Sequence, residues 1–246
     1  MNFAIIAAGD GSRLVHEGVS SPKPLVELDG RPMIRRLTDI FTACGAESIA
    51  VIVNESMTDV ARYVARLSGE ISVPLRLCVK STPDSMHSFH EVSSLLPEGK
   101  FVLTTVDTIF SAGAMRRLVA AFEADDIADG YMGVTDYIDD EKPLYVSVDG
   151  TGRIDAYRDE PFAGVRYVSA GVYGLQSPRA LEVLSECIAA GKGRMRNYQR
   201  ALVGAGFDLH AFPMGKVIDV DHASDIAKAR QLIREFENHD KKDDCN

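Results

Sequence analysis

Apolar and polar positions along this chain follow two alternating periods. Residues 3–7 ("FAIIA") form a continuous apolar run as long as one buried strand. The β-branched segments 48–54 ("SIAVIVN") and 100–107 ("KFVLTTVD") repeat that pattern, and 73–79 ("VPLRLCV") reads as a further strand. Between them the period lengthens. Over 32–44, Ile34, Leu37, Ile40, Phe41 and Cys44 share one helical face, with Pro32 near the start and Gly45 as the stop. The same spacing predicts helices over 59–69 (Val60, Tyr63, Val64, Leu67), 88–96 (Phe89, Val92, Leu95, Leu96) and 114–124 (Met115, Leu118, Val119, Phe122). Strands alternating with helices predict an α/β fold, with a largely parallel sheet covered on both faces.

After about residue 130 the pattern becomes richer in β segments. Residues 145–159 read as a hairpin around Asp149-Gly150-Thr151-Gly152, and 165–175 as another strand. A helix over 178–191, a short strand in "KVIDVD" (216–221) and a helix over 225–236 follow, and the polar residues 236–246 are expected to fray. No Pro/Ser-rich linker or internal repeat divides the chain, so residues 1–246 are expected to form one domain.

Charge narrows the partners. A formal net charge of -9 argues against nucleic acid and acidic membrane surfaces, both of which need a basic face. Any anionic ligand must therefore be met by a local basic site. Cys44, Cys78, Cys187 and Cys245 are scattered with no C-x-x-C pair, which suggests reduced thiols rather than zinc or disulfides. The first apolar run is too short for a signal peptide, and nothing approaches the roughly 18 apolar residues of a membrane span. A cytoplasmic location is the expectation, and homo-oligomerisation is left open.

The first strand runs into "AAGDGSRL" (7–14), a glycine loop followed by an arginine. A dinucleotide fingerprint needs a third glycine where Leu14 stands, and the next strand begins too far on, near Ser48. The G-K-[ST] ending of a Walker loop is absent as well. The loop nevertheless supplies backbone N–H groups and the Arg13 guanidinium, and Lys23 follows between Pro22 and Pro24. Two prolines stiffen the backbone on either side of that lysine, as a positioned phosphate ligand requires. His87-x-x-His90-Glu91 does not have the H-E-x-x-H spacing of a zinc site and reads as ordinary helix surface.

"AIIAAGDGSRL…SPKPLVELDGRPMI" resembles the N-terminal signature of the sugar-nucleotide pyrophosphorylases and related cytidylyltransferases. The likeness extends more weakly through "VLTTVDTIF", "YRDEPF", "VSAGVYGL" and "VIDVDHASDIAKA". It implies a single three-layer α/β domain with a Rossmann-like, mostly parallel mixed sheet. It also implies Mg²⁺-dependent transfer of NMP from an NTP to a phosphorylated small molecule, most simply a sugar 1-phosphate. Cytidylyl transfer to a phosphoalcohol or phosphoamine such as phosphocholine is the alternative, and a non-catalytic sugar-nucleotide sensor is a third reading.

Site residues carry over position by position. Ala7, Ala8, Gly9, Gly11, Ser12 and Arg13 would meet the nucleotide, with Arg13 on the departing phosphates. Lys23 would contact the α-phosphate or the acceptor phosphate. Asp107 would hold Mg²⁺ with Asp221 as second ligand and Asp219 as fallback. Lys80 and Ser85 stand in the base-selecting segment, where the family has glutamine and glycine. Asp159, Ser169 and Gly171 fall at acceptor-contacting positions, although the family has glutamate and asparagine at the first two. Val106 stands at the usual glycine before the metal aspartate, and Val217 at a tryptophan. Arg194 and Arg196 read equally as acceptor-phosphate ligands or as a solvated basic turn.

Overall fold

The computed structural model of the chain describes residues 1–243. Its strands are β1 (Asn2–Ala7), β2 (Glu27–Leu28), β3 (Arg31–Pro32), β4 (Ser48–Val53), β5 (Leu75–Val79), β6 (Lys100–Thr105), β7 (Thr108–Ile109), β8 (Gly130–Thr135), β9 (Tyr145–Val148), β10 (Ile154–Arg158), β11 (Tyr167–Gln176), β12 (Leu209–Pro213) and β13 (Ile218–Asp219). The helices are α1 (Ser12–His16), α2 (Met33–Ala43), α3 (Thr58–Leu67), α4 (Ser85–Ser93), α5 (Ala112–Ala124), α6 (Arg179–Ala189), α7 (Met195–Gly204) and α8 (Ala223–Asp243).

One large sheet carries the fold. β6, β1, β4 and β5 are parallel neighbours, in the register Ile5↔Val51 and Ile5↔Thr104. β11 then runs antiparallel to β6 and pairs on its other side with β8 and β9. β1 is buried on both faces, so alternate residues serve two cores. Phe3, Ile5 and Ala7 pack with residues of α2, α3, α5 and α8, whereas Ala4 and Ile6 pack with residues of α4, α6 and α7. The three-layer α/β architecture implied by the sequence is the one adopted, parallel in its first half and antiparallel in its second.

The differences are local. β8, β12, α1 and α7 are elements the apolar pattern did not predict, and "GKGRMRNY" (191–198) is half turn and half helix, with Arg194 capping α7 and Arg196 in its first turn. The final helix continues past Phe236 to Asp243, so the expected frayed tail is helical that far, and residues 244–246 lie outside the described residues. Cys44, Cys78 and Cys187 are free thiols, and Cys245 lies outside the described residues. Among the described residues no helix is long and apolar enough to cross a membrane.

β8 was missed because glycine is a poor strand former, yet the packing demands it. A Cβ on Gly130 would sit 2.6 Å from the Gly174 carbonyl oxygen and 3.0 Å from both Leu175 and Leu209. Gly130→Ala should therefore destabilise the protein by about 1–3 kcal/mol through overpacking. Gly150→Ala in the hairpin turn, where a Cβ meets nothing within 4 Å, should change stability by less than about 0.5 kcal/mol. Urea unfolding of the two variants checks this, and equal midpoints would refute it.

Candidate functional site

Three chain segments converge at the carboxyl edge of the parallel strands, where α/β sheets gather their ligands. The loop after β1 leads through Gly11, which caps α1 in the left-handed region at φ 62°. A Cβ there would also approach within 3.0 Å of the Lys23 Cβ. Glycine is thus required for both the turn and the close approach. Lys23 opens a short 3₁₀ turn closed by Leu25 N–H donating to the Pro22 carbonyl at 2.8 Å. Gly9 differs: a Cβ there meets no protein atom within 4 Å and would project into open space.

Asp107 follows β6 directly. Val106 N–H extends the parallel ladder to the Ile6 carbonyl at 2.9 Å, which fixes the turn in which Asp107 sits. The third segment arrives because β13 pairs with β7 in the register Asp219↔Thr108, and Val220 N–H then donates to the Asp107 carbonyl at 3.1 Å. Asp225 accepts from the backbone N–H groups of Asp221 and His222, at 3.2 and 2.8 Å, and holds Asp221 at the entry to α8.

The side chains then meet. Lys23 Nζ donates to Asp221 Oδ1 at 2.7 Å and is in ion-pair contact with Asp107 Oδ2. Arg13 Nη1 donates to Asp221 Oδ2 at 3.1 Å. Lys23 is no solvated turn lysine, since only 11% of its side chain is exposed. Burial works against its charge, but the Asp107 and Asp221 carboxylates outweigh that and raise its pKa above the ordinary lysine range. Burial likewise opposes ionisation of Asp221, while Lys23 and Arg13 hold its pKa below the usual carboxylate value. Asp107 Oδ1 is buried and has no hydrogen-bond partner among the described residues.

Two clefts share this cluster. The first, about 470 Å³, is lined by Ala8 to Arg13, Lys23, Asp107 and Asp221, with Ser85 on its far wall. Asn54 borders it as well and was not expected; Thr82 and Asp84 border it too, inside the expected base-selecting segment 80–88 but not singled out there. Asp84 does have a local signal, because its carboxylate caps α4 by accepting from Met86 and His87 N–H at 2.9 and 3.1 Å. The second cleft, about 560 Å³, shares Arg13 and Asp221 with the first and adds Ser169, Arg196, Asp219 and the acidic segment Asp139, Asp140 and Glu141. Asp219 is exposed to this cleft, and desolvation together with the Asp107 carboxylate raises its pKa above the usual carboxylate value. It makes no ion pair with Lys23; Asp221 does.

Some expected residues stand elsewhere. Lys80 does not border the first cleft and pairs with Glu91 Oε1 at 2.8 Å. Asp159 does not line the second cleft; it binds Arg196 Nη1 and Arg200 Nη2 at 2.6 and 2.7 Å. Gly171 lies behind the cleft wall, where a Cβ would be 3.1 Å from Thr108 Oγ1. Ala7 is buried in the sheet, and its place at the site is the end of β1 rather than the cleft lining.

Comparison with known proteins agrees with this geometry. Over 192 residues the chain is 26% identical to the bifunctional protein GlmU of Paracoccus denitrificans, covering 73% of this chain and 40% of that protein. It is 27% identical over 159 residues to the CMP-5'-(3-aminopropyl)phosphonate synthase of Streptomyces rubellomurinus, covering 56% of this chain and 24% of that protein. The chain thus spans less than half the length of either relative. The fold is similar to that of the inositol-1-phosphate CTP transferase from T. maritima, with a TM-score of 0.80, 20% identity and 96% of each chain covered. Residues 3–198 match the model of the MobA-like NTP transferase domain, and the chain belongs to that family.

Proposed function

We propose that this protein transfers NMP from an NTP to a phosphorylated small molecule, most simply a sugar 1-phosphate, and releases pyrophosphate. The observation that carries the reading is the convergence of Lys23 and Arg13 on Asp107 and Asp221 where two clefts meet. One cleft would take the nucleotide and the other the acceptor. An acceptor phosphate oxygen attacks the α-phosphorus, the bond to the β-phosphate oxygen breaks, and pyrophosphate departs. The attacking oxygen is already anionic, so no general base is needed. The chain's work is positioning and charge neutralisation.

The backbone from Ala8 to Ser12 would cradle the phosphates, Arg13 would hold the departing pair, and Lys23 would hold the α-phosphate. Asp107 and Asp221 fit a Mg²⁺ ion. They are close enough to bind one ammonium between them, and Asp107 Oδ1 has no partner among the described residues. Mg²⁺ takes one or two carboxylates and completes its shell with phosphate oxygens and water. When bound it would neutralise the charge that develops on the phosphates. The carboxylates of Asp139, Asp140 and Glu141 along the second cleft favour a second reading, in which the acceptor bears an amine and CTP is the donor.

A pyrophosphate-release screen of the four NTPs against glucose 1-phosphate, inositol 1-phosphate, phosphocholine and 2-aminoethylphosphonate tests the reading. Turnover with at least one pair is expected, and none with any pair would refute it. With the best pair, Lys23→Ala should lose at least tenfold in kcat, or about 1.4 kcal/mol of transition-state stabilisation; retention of the full rate would remove Lys23 from the mechanism.

Asp107→Asn and Asp221→Asn should each cut turnover by orders of magnitude. Because they would serve one ion, the double variant should be little worse than either single one. Multiplicative losses would mean that the two act separately, and full activity in Asp107→Asn would sink the metal assignment.

For the base, Ser85→Gly should alter the ranking of NTPs while Lys80→Gln should not, because Ser85 borders the first cleft and Lys80 does not. The reverse pattern in kcat/KM would place base reading at Lys80.

A further inference from the structure

Asp159, at an acceptor-contacting position by sequence resemblance, lies outside the second cleft and grips two arginines of α7. Arg196 and Arg200 are four residues apart and so share one face of that helix. Asp159 Oδ1 accepts from Arg196 Nη1 at 2.6 Å, and its Oδ2 is 2.7 Å from Arg200 Nη2. A second bond ties down each guanidinium. Arg196 Nη2 donates to the Lys142 carbonyl at 3.0 Å, and Arg200 Nε to the Tyr157 carbonyl at 3.2 Å. The end of β10, the β8–β9 loop and the first turn of α7 are thereby locked together around one arginine that borders the second cleft.

Fixation distinguishes Arg196 from Lys142, an exposed cation that also lines the cleft but whose side chain makes no ion pair or hydrogen bond among the described residues. Arg13 is paired with Asp221, and Lys228 with Asp139 and Asp225, all of them cleft residues. Arg196 borders the cleft as a guanidinium fixed from outside it, because its carboxylate partner Asp159 is not a lining residue. A guanidinium has five N–H donors in a planar fork, and two protein contacts leave others for a bound oxyanion. The same helix turn also presents Gln199, a buried side chain whose Oε1 accepts from Ser169 Oγ at 3.0 Å. Gln199 does not line the cleft itself, but it holds Ser169, which does.

We infer that Arg196 binds the phosphoryl oxygens of the acceptor, and that Asp159 is a positioning residue that acts through it. The inference rests on the nucleotidyl-transfer reading above. It assigns the acceptor end of the reaction to a fixed guanidinium, where the resemblance had implied direct contact by an acidic side chain. A phosphate ester and a phosphonate present the same oxygens, so both kinds of acceptor fit.

The test is steady-state kinetics with every NTP–acceptor pair that the screen finds active, phosphate esters and the phosphonate as separate arms. Arg196→Gln should raise the acceptor KM at least tenfold and leave the NTP KM within twofold of wild type. Arg196→Lys keeps the charge but loses the fork and should recover only part of the loss. Asp159→Asn should raise the acceptor KM at least threefold although it touches no substrate, and Asp159→Glu should restore it. A merely structural role would instead move both KM values and kcat together, and that result overturns the inference. An unchanged acceptor KM in both Arg196 variants overturns it too, while turnover itself upholds the nucleotidyl-transfer reading. Absence of turnover with every pair defeats that reading and this inference with it.

Discussion

The ammonium of Lys23 between Asp107 and Asp221 is the contact on which the site depends. It joins the turn after the glycine loop, the end of β6 and the entry to α8. Each is held by backbone features rather than by the ion pair itself: the prolines and the close approach of Gly11, the parallel ladder at Val106, and the β7–β13 pairing. Two carboxylates so close would repel one another unless a cation lay between them. The backbone thus brings like charges together, and the lysine makes that arrangement tolerable. Phosphate-binding cations and metal-binding carboxylates gathered in one place are what nucleotidyl transfer requires.

The parallel half of the fold was legible because its strands are buried on both faces and read as unbroken β-branched runs. β8 was not, because "GYMGVT" carries glycines that local propensity counts against a strand, while Gly174 and Val172 of the neighbouring strand exclude any side chain at Gly130 and Gly133. α7 does carry a helical stripe in Met195, Tyr198, Gln199 and Leu202. Three features masked it: a glycine-rich entry, a cap at Arg194 with φ 66°, and a polar residue at a core position.

The site divides along the same line. Arg13, Lys23, Asp107 and Asp221 were legible because the motifs that carry them are short and lie at strand ends. Asn54 reaches the first cleft only because β4 lies beside β1, a tertiary fact with no local mark. Lys80 and Asp159 show the opposite limit. The resemblance marks their positions along the chain, but Glu91 and Arg196 decide where their side chains go.

This separation has a mechanical cause. The first cleft is built on parallel strands whose carboxyl ends all point to one edge, so a few residues placed there meet whatever the surrounding loops do. The second cleft is built where β11 changes partners, pairing with β6 over 172–176 and with β9 over 167–168, its register to β8 shifting between Ser169 and Tyr173. A bulged, antiparallel region re-aims its side chains, so the groups that face the second cleft depend on connections such as that from Asp159 to Arg196. A substitution on the parallel side changes a reacting group directly. At the second cleft it changes which group is presented, as the ties of Asp159 to Arg196 and Arg200 illustrate.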